Sequence, residues 1–410
     1  MNSSFETDPY PGRPKILFIG PGDSTHTHSW IELLQRENFN VRLFIPPRFY
    51  PPPADWKIKT YLAGYNHGPI NPSIRKRLTD RGKAKRLAQR TLARIRKQPW
   101  DTEKYGIEWL VQIIRDWRPN IVHTFQFDVA EFYFRVCREY GFTDNPKWVL
   151  TVRGGPELAL RRLDPQFKER LRRTLTACDQ LIADNQQNYD YAQSVGVQEN
   201  QISLGVVPGT GGIDVTRLAE NWKASPSERK ILLLPKAYEW PQGKALPVLE
   251  ALKLANDRIP PCEVHMLAVS DEVRMWFHTL PDDVRERCFL YERIPREQAL
   301  TLMTASRALI MPSLSDGIPN AMYEAMGAGA FPIVSPLETI LPVVGNEQNV
   351  LFARNLYPEE IAAAIIRAMT DNALVDAAAK RNLELVTRIA NRDDVRKRVV
   401  AFYDKLAADS

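Results

Sequence analysis

Cysteine is scarce in this chain: Cys137, Cys178, Cys262 and Cys288 are the four in 410 residues, widely spaced and without a CxxC pair. That spacing excludes a disulfide framework and a thiolate zinc site, and it suits buried thiols in a reducing cytoplasm. Long apolar runs are missing as well. No stretch approaches the roughly 20 residues that a membrane span needs. The first fourteen residues are polar, carry Pro9, Pro11 and Pro14, and lack the apolar core of a signal peptide. No Walker loop, nucleophile elbow or kinase signature occurs, which argues against the commonest phosphoryl- and acyl-transfer sites. Histidine is rare too, six in all. His26 and His28 lie close together but have no partner at ligand spacing, so neither a metal nor any other cofactor is expected.

What is present is ordinary globular composition, 44% apolar and 25% charged, in a chain too long for one core, so two domains are expected. The net charge of +6 is unevenly spread. Residues 75–97 hold eleven Lys and Arg against Asp80 alone, a local +10 that leaves −4 for the remainder. Basicity is therefore a local device.

Short apolar or β-branched runs alternate with amphipathic stretches almost throughout. Strands are expected at 15–20, 41–46, 120–125, 148–152, 180–183, 202–207, 230–234, 263–269, 288–291, 308–311 and 331–335. Helices are expected at 29–36, 103–117, 165–177, 246–255 and 358–370, with two more at 376–390 and 393–407. This alternation predicts an α/β fold with two doubly wound, Rossmann-like parallel sheets. The Gly/Pro cluster at 208–214 sets the boundary. It gives an N-terminal domain over 1–207, a C-terminal domain over 208–385, and a last helix over 386–410 that is free to pack back on the first domain. Residues 46–105, opening with a proline cluster, read as an irregular insertion that runs into the basic segment.

The richest stretch is 311–335. An apolar strand runs into the loop Asp316-Gly317-Ile318-Pro319-Asn320, a helix follows from Asn320 with Glu324 one turn inside it, and a second strand starts at Phe331. A helix N-terminus with exposed N–H groups is an anion site, and two carboxylates beside it suit sugar hydroxyls. An ordinary surface glutamate is the competing reading of Glu324. Lys236 leaves a buried strand into the crevice where open α/β sheets bind ligands, and Lys244 opens the next helix. Two such cations grip phosphates from opposite sides, although solvated lysines are the usual outcome. Gly20-Pro21-Gly22 is not a full GxGxxG fingerprint, so a dinucleotide site is weakly supported, yet Gly22 lets a ligand approach the backbone. His123 ends a strand and is expected in the cleft, where a core histidine is the alternative. Arg153 leaves the following strand in the same way.

These residues resemble GT-B glycosyltransferases, in particular retaining family 4. Asp316 and Glu324 match its paired-acid spacing, and Glu-Ala-Met-Gly-Ala-Gly follows as in its acidic helix. Lys15-Ile-Leu-Phe-Ile, Thr27-His28-Ser29-Trp30, Arg118-Pro-Asn-Ile-Val-His123, Thr151-Val-Arg-Gly154, 208–214 and Asn349-Val-Leu-Phe352 sit in the family's order. The resemblance implies two Rossmann-like domains flanking a deep cleft. It implies donor contacts from Lys236, Lys244, Gly22, Ile294, the Gly317–Asn320 backbone and Glu324, the last at a ribose. Asp316 and His123 would lie at the transferred sugar with Lys236 on the diphosphate, and Arg153 and His26 on the acceptor side. Two departures stand out: the first acid is Asp where the family usually has Glu, and the basic pair is Lys/Lys eight apart where Arg then Lys about five apart is common.

The expected activity is transfer, with retained configuration and no metal, of a sugar from a nucleotide-diphosphate donor to a glycan, lipid-linked or small-metabolite acceptor. A catalytically inactive nucleotide-sugar-binding protein and another GT-B enzyme, such as a sugar-nucleotide epimerase, are the alternatives. Residues 75–97 read as a solvated helix or as a patch for an anionic membrane surface, which would place the protein in the cytoplasm against the inner face of the membrane. They lack the interleaved aromatics of a nucleic-acid site.

Overall fold

The computed structural model describes residues 3–35, 37–63, 73–76, 91, 102–142, 146–154, 157–158 and 161–409. Most of the basic segment, and Gly155, lie outside the described residues. Two parallel sheets organise the chain. In the first, β1 (Lys15–Ile19), β2 (Asn40–Ile45), β3 (Lys59–Leu62), β4 (Ile74–Lys76), β5 (Ile121–Phe125), β6 (Lys147–Val152) and β7 (Gln180–Ala183) run in the order β4-β3-β2-β1-β5-β6-β7. In the second, β8 (Ile231–Leu234), β11 (Glu263–Met266), β12 (Cys288–Leu290), β13 (Ser306–Met311), β14 (Phe331–Val334) and β15 (Leu351–Phe352) run in the order β12-β11-β8-β13-β14-β15. A small antiparallel hairpin, β9 (Glu239–Trp240) and β10 (Gly243–Lys244), stands apart.

Central strands are apolar on both faces because helices cover both, the burial expected of parallel sheets. Every residue of β5 and of β13 is buried. Helices α1 (Thr25–Gln35), α2 (Thr102–Trp117), α3 (Phe127–Tyr140), α4 (Pro165–Ala177) and α5 (Gln186–Ser194) belong to the first domain. Helices α6 (Leu246–Ala255), α7 (Asn320–Gly327), α8 (Pro358–Thr370) and α9 (Asn372–Ala390) belong to the second. The last helix, α10 (Arg392–Ala408), returns to the first: Val395, Val399, Tyr403 and Leu406 share a core with Ile16, Phe18, Trp30 and Leu43. The chain crosses between domains twice at one place. Ile213 N–H donates to Ala390 O (2.8 Å) and Arg392 N–H to Ile213 O (2.9 Å), and the Asn391 side chain caps α10.

The sequence pattern and the structure part in several places. Residues 46–105 are not wholly irregular, because β3 and β4 extend the first sheet beyond β2. These strands are only four and three residues long, too short for an alternation to show. The expected strand at 202–207 is reduced to one bridge between Ala183 and Val206. The first helix begins at Thr25, four residues early, with the Ser24 hydroxyl accepting from Thr27 N–H (3.4 Å). Among the described residues, no helix is long and apolar enough to cross a membrane.

Candidate functional site

A cleft of about 840 Å³ opens between the C-terminal ends of the two sheets. Of the residues singled out in the sequence, Lys236, Ile294, Asp316, Ile318, Pro319, Asn320 and Glu324 line its C-terminal wall, and His26 and Arg153 its N-terminal wall.

On the C-terminal wall, β13 ends at Met311 and the chain turns through a loop held from below. The Thr339 hydroxyl donates to the carbonyls of Asp316 (3.0 Å) and Gly317 (3.1 Å). Asp316 accepts from Gly317 N–H through Oδ1 (2.9 Å) and from Lys236 Nζ through Oδ2 (2.6 Å). Lys236 stands two residues past β8, the neighbour of β13, so sheet order makes this pair. Helix α7 then starts without a side-chain cap, which leaves the first N–H groups directed at the cleft. Glu324 pairs with Arg296 through Oε1. Burial pushes its carboxyl above the usual range, with Arg296 opposing.

The N-terminal wall is built differently. Arg153 follows β6, its guanidinium lying 5.3 Å from the Phe125 ring, and its Nε and Nη2 are enclosed without a hydrogen-bond partner among the described residues. Burial lowers its pKa. Glu157 accepts from Arg153 N–H (3.1 Å), and Asp184, at the end of β7, accepts from Gly154 N–H through both oxygens (3.0 Å each) and from Asn185 Nδ2 (2.7 Å). Burial raises Glu157 to about 7 and Asp184 to about 6, against these hydrogen bonds and the Arg153 charge. Burial, with the Arg153 charge, holds His26 down at about 4.

The walls touch where neither has a side chain. A Cβ on Gly317 would lie 2.6 Å from Gly154 Cα and 2.8 Å from Asp184 Oδ2, and Gly154 itself has φ +40°. Thr210 on the crossover donates to Asn320 Oδ1 (3.0 Å).

Three expected cleft residues lie elsewhere. His123 is fully buried in the first domain, its nitrogens bonded to Tyr403 Oη and Thr151 Oγ1 (2.6 Å to the latter). With Phe18, Phe125 and Trp30 around it, it is a core histidine. Burial drives its pKa well down, which keeps it neutral. Lys244 does not open a helix: it sits in β10, where Nζ pairs with Glu239 (3.3 Å), and Glu239 in turn accepts from Leu246 N–H (2.7 Å) at the start of α6. Gly22 offers no backbone to a ligand. Its N–H donates to Tyr50 O (3.1 Å), and a Cβ there would lie 2.4 Å from Ile45 Cδ1 and 2.6 Å from Tyr50 O.

Glu157, Asp184, Arg296 and Thr210 join the site without having been singled out in the sequence. Asp184 had a signal, a carboxylate directly after a buried strand, the same position that marked His123 and Arg153. Arg296 had a weaker one beside Ile294, while Glu157 and Thr210 had none. Among the described residues, no group of three or more His, Cys, Asp or Glu is placed to hold a metal ion.

No curated protein sequence matches the chain significantly. Solved structures match along nearly its whole length. A sucrose-phosphate synthase from Thermosynechococcus elongatus superposes with a TM-score of 0.69 at 17% identity, covering 97% of this chain and 100% of that one. HepE from Anabaena, in complex with UDP and glucose, gives 0.67 at 11% identity, covering 96% and 100%. A trehalose 6-phosphate synthase from Burkholderia multivorans gives 0.66 at 13%, covering 96% and 99%. These likenesses establish the fold. Residues 223–384 match the family model described as Glycosyl transferases group 1, a span that contains Lys236, Asp316 and Glu324. The chain thus has a GT-B fold, and residues 223–384 of it are similar to the glycosyl transferases group 1 family.

Proposed function

We propose that this protein is a retaining glycosyltransferase of the family 4 type, moving a sugar from a nucleotide-diphosphate-sugar donor to a glycan, lipid-linked or small-metabolite acceptor. The observation that carries the reading is the meeting, on one wall of an interdomain cleft, of Lys236, Asp316, Glu324 and the uncapped N-terminus of α7. HepE binding of UDP and glucose in the same fold supports a nucleotide-sugar donor.

In this reading Glu324 holds a ribose through Oε2, which accepts no hydrogen bond among the described residues while Oε1 serves Arg296. The diphosphate sits at the α7 N-terminus and takes Lys236 away from Asp316. Asp316 is thereby freed to accept a hydroxyl of the transferred sugar. Negative charge grows on the leaving phosphate as the glycosidic bond breaks, and the ammonium and helix N–H groups already face it. The departing phosphate oxygen takes the acceptor proton on the same face, which retains configuration without a metal or an enzyme nucleophile. We place the protein in the cytoplasm, with residues 75–97 against an anionic membrane inner face.

Thermal-shift screening of sugar nucleotides identifies the donor, and turnover follows by release of nucleoside diphosphate. Lys236→Ala and Glu324→Ala are expected to abolish that turnover, and full activity in both sinks the assignment. A protein that binds donor calorimetrically but neither transfers nor hydrolyses it is the inactive binding protein. Interconversion of donor sugars identifies an epimerase. Flotation with anionic vesicles at physiological salt tests the membrane placement, which absence of binding refutes.

A further inference from the structure

We propose that the N-terminal wall of the cleft seats a phosphate group of the acceptor, on the Arg153 guanidinium and the first turn of α1. The assignment to an acceptor rests on the transferase reading above. The seat itself rests on the side chains.

Arg153 presents a charged fork to the cleft. Two of its nitrogens, Nε and Nη2, are enclosed and have no hydrogen-bond partner among the described residues, an arrangement that costs free energy unless a ligand completes it. The carboxylates near it are committed elsewhere. Glu157 Oε2 takes Arg153 N–H and Asp184 takes Gly154 N–H, so neither reaches Nε or Nη2. The Phe125 ring at 5.3 Å braces the guanidinium from the side. Nε and Nη2 together form the fork that grips two oxygens of one phosphate.

The third oxygen has a partner close by. Helix α1 brings Thr25 and His26 to the same cleft. The Ser24 side chain and carbonyl take Thr27 N–H and His28 N–H, leaving the two N–H groups before them for a ligand. The His26 Nδ1 is likewise enclosed without a partner among the described residues. With its pKa held down at about 4 and its other nitrogen on Gly209, the neutral ring presents Nδ1 as an acceptor, which takes the proton of a hydrogen phosphate without adding charge.

The opposite wall explains why the anion belongs to the acceptor. Lys236 and Arg296 there are already matched by Asp316 and Glu324, and α7 offers its own N-terminus to the diphosphate. Arg153 is on the other wall, which leaves it for a second anion that reaches the cleft from the acceptor side.

Isothermal titration of the full chain with inorganic phosphate, alone and with saturating UDP, tests this. Phosphate is expected to bind in both conditions. Arg153→Gln should weaken phosphate tenfold or more and change UDP affinity less than twofold. Arg153→Lys, which keeps the charge but loses the fork, should weaken phosphate several-fold and serves as the variant of record if the glutamine variant does not fold. Lys236→Ala should do the reverse, weakening UDP and sparing phosphate. The proposal is overturned if wild type binds no phosphate, if neither Arg153 variant weakens it, or if saturating UDP abolishes it. The last result would put the phosphate in the diphosphate site. Phosphate binding by a wild-type protein that binds no UDP would keep the seat but remove the acceptor assignment.

Discussion

On the C-terminal wall of the cleft, cations and carboxylates meet directly, Lys236 with Asp316 at 2.6 Å and Arg296 with Glu324. On the N-terminal wall, Glu157 and Asp184 spend oxygens on the backbone of Arg153 and Gly154, and the guanidinium, though it feels their charge, has no hydrogen-bond partner at Nε or Nη2 among the described residues. In the proposed reading the first wall exchanges partners: Lys236 leaves Asp316 for a phosphate, which releases Asp316 for a hydroxyl. The second exchanges nothing, because its carboxylates hold the turn. A chain that couples two substrates gains from this difference. In that reading the donor wall is switched by its ligand, and the facing wall is set beforehand.

The largest effect is expected where the exchange happens. Lys236→Met should lower donor turnover about 10²–10³-fold, the range found when one preorganised charge at a developing anion is removed. It also leaves Asp316 unpaired in a part-buried setting, so Asp316→Asn added to Lys236→Met should recover stability without recovering turnover. Independent, additive effects of the two substitutions on stability would show that the ion pair is incidental and that the two walls do not differ in kind.

A second substitution separates the cleft from the core beneath it. His123→Leu should cost roughly 2–3 kcal/mol of folding stability, because it leaves the Thr151 hydroxyl without its histidine partner in a sealed interior and the Tyr403 hydroxyl with Trp30 Nε1 but no group to donate to. Turnover per folded molecule should be unchanged. Denaturant unfolding read beside initial rates checks both. Lost turnover at unchanged stability would return His123 to the chemistry.

The fate of His123 shows what was legible in the sequence. The fold was legible because buried parallel strands are continuous apolar runs that alternate with helices, and α4, α6 and α8 lie at their expected limits. The C-terminal wall was legible because Asp316, its loop and Glu324 are local, carried on one strand–loop–helix unit. The N-terminal wall was not, because its parts come from the ends of β6 and β7 and from the start of α1. A residue at a strand's end faces the cleft or the core according to its neighbours. Arg153 lies past the end of β6 and faces the cleft, whereas β5 runs on to Phe125, so His123 sits inside the strand, where α10, arriving from the far end of the chain, closes over it with Tyr403. No window of sequence around residue 123 contains Tyr403. Lys244 and Gly22 moved for similar reasons, being claimed by Glu239 and by the loop at Tyr50.

How closely the walls must meet is testable at their contact. Gly317→Ala places a methyl 2.6 Å from Gly154 Cα and 2.8 Å from Asp184 Oδ2, neither of which can turn aside. The walls must part by a fraction of an ångström. A roughly tenfold fall in kcat/KM is expected, below the 10²-fold that a 1 Å misplacement can cost, with little change in thermal unfolding. Gly327→Ala, whose methyl would meet the flexible Leu218 side chain at 3.0 Å inside the second domain, should reverse that pattern and touch stability more than rate. Equal behaviour of the two variants would mean that the cleft does not need its walls in contact.

The smallest effect probes the committed carboxylates directly. Burial raises Glu157 to about 7 and Asp184 to about 6, so the folded protein holds protons there that the unfolded chain has released. Their contribution to stability is complete at pH near 4 and is lost as pH rises through 6 and 7. His26 runs the other way: with its pKa near 4, the stability from its neutral ring is present above about 6.5 and is lost as pH falls. Glu157→Gln keeps an oxygen for Arg153 N–H and removes the charge, so only the first of these trends weakens. Between pH 5 and 8 the variant should therefore gain on wild type by about 2–4 °C in thermal midpoint, the shift that about 1 kcal/mol produces in a domain of this size. A pH-independent offset would mean that Glu157 ionises alike in both states. That would require a cation to share its charge in the fold, and Arg153 would then be as matched as Lys236 is on the opposite wall.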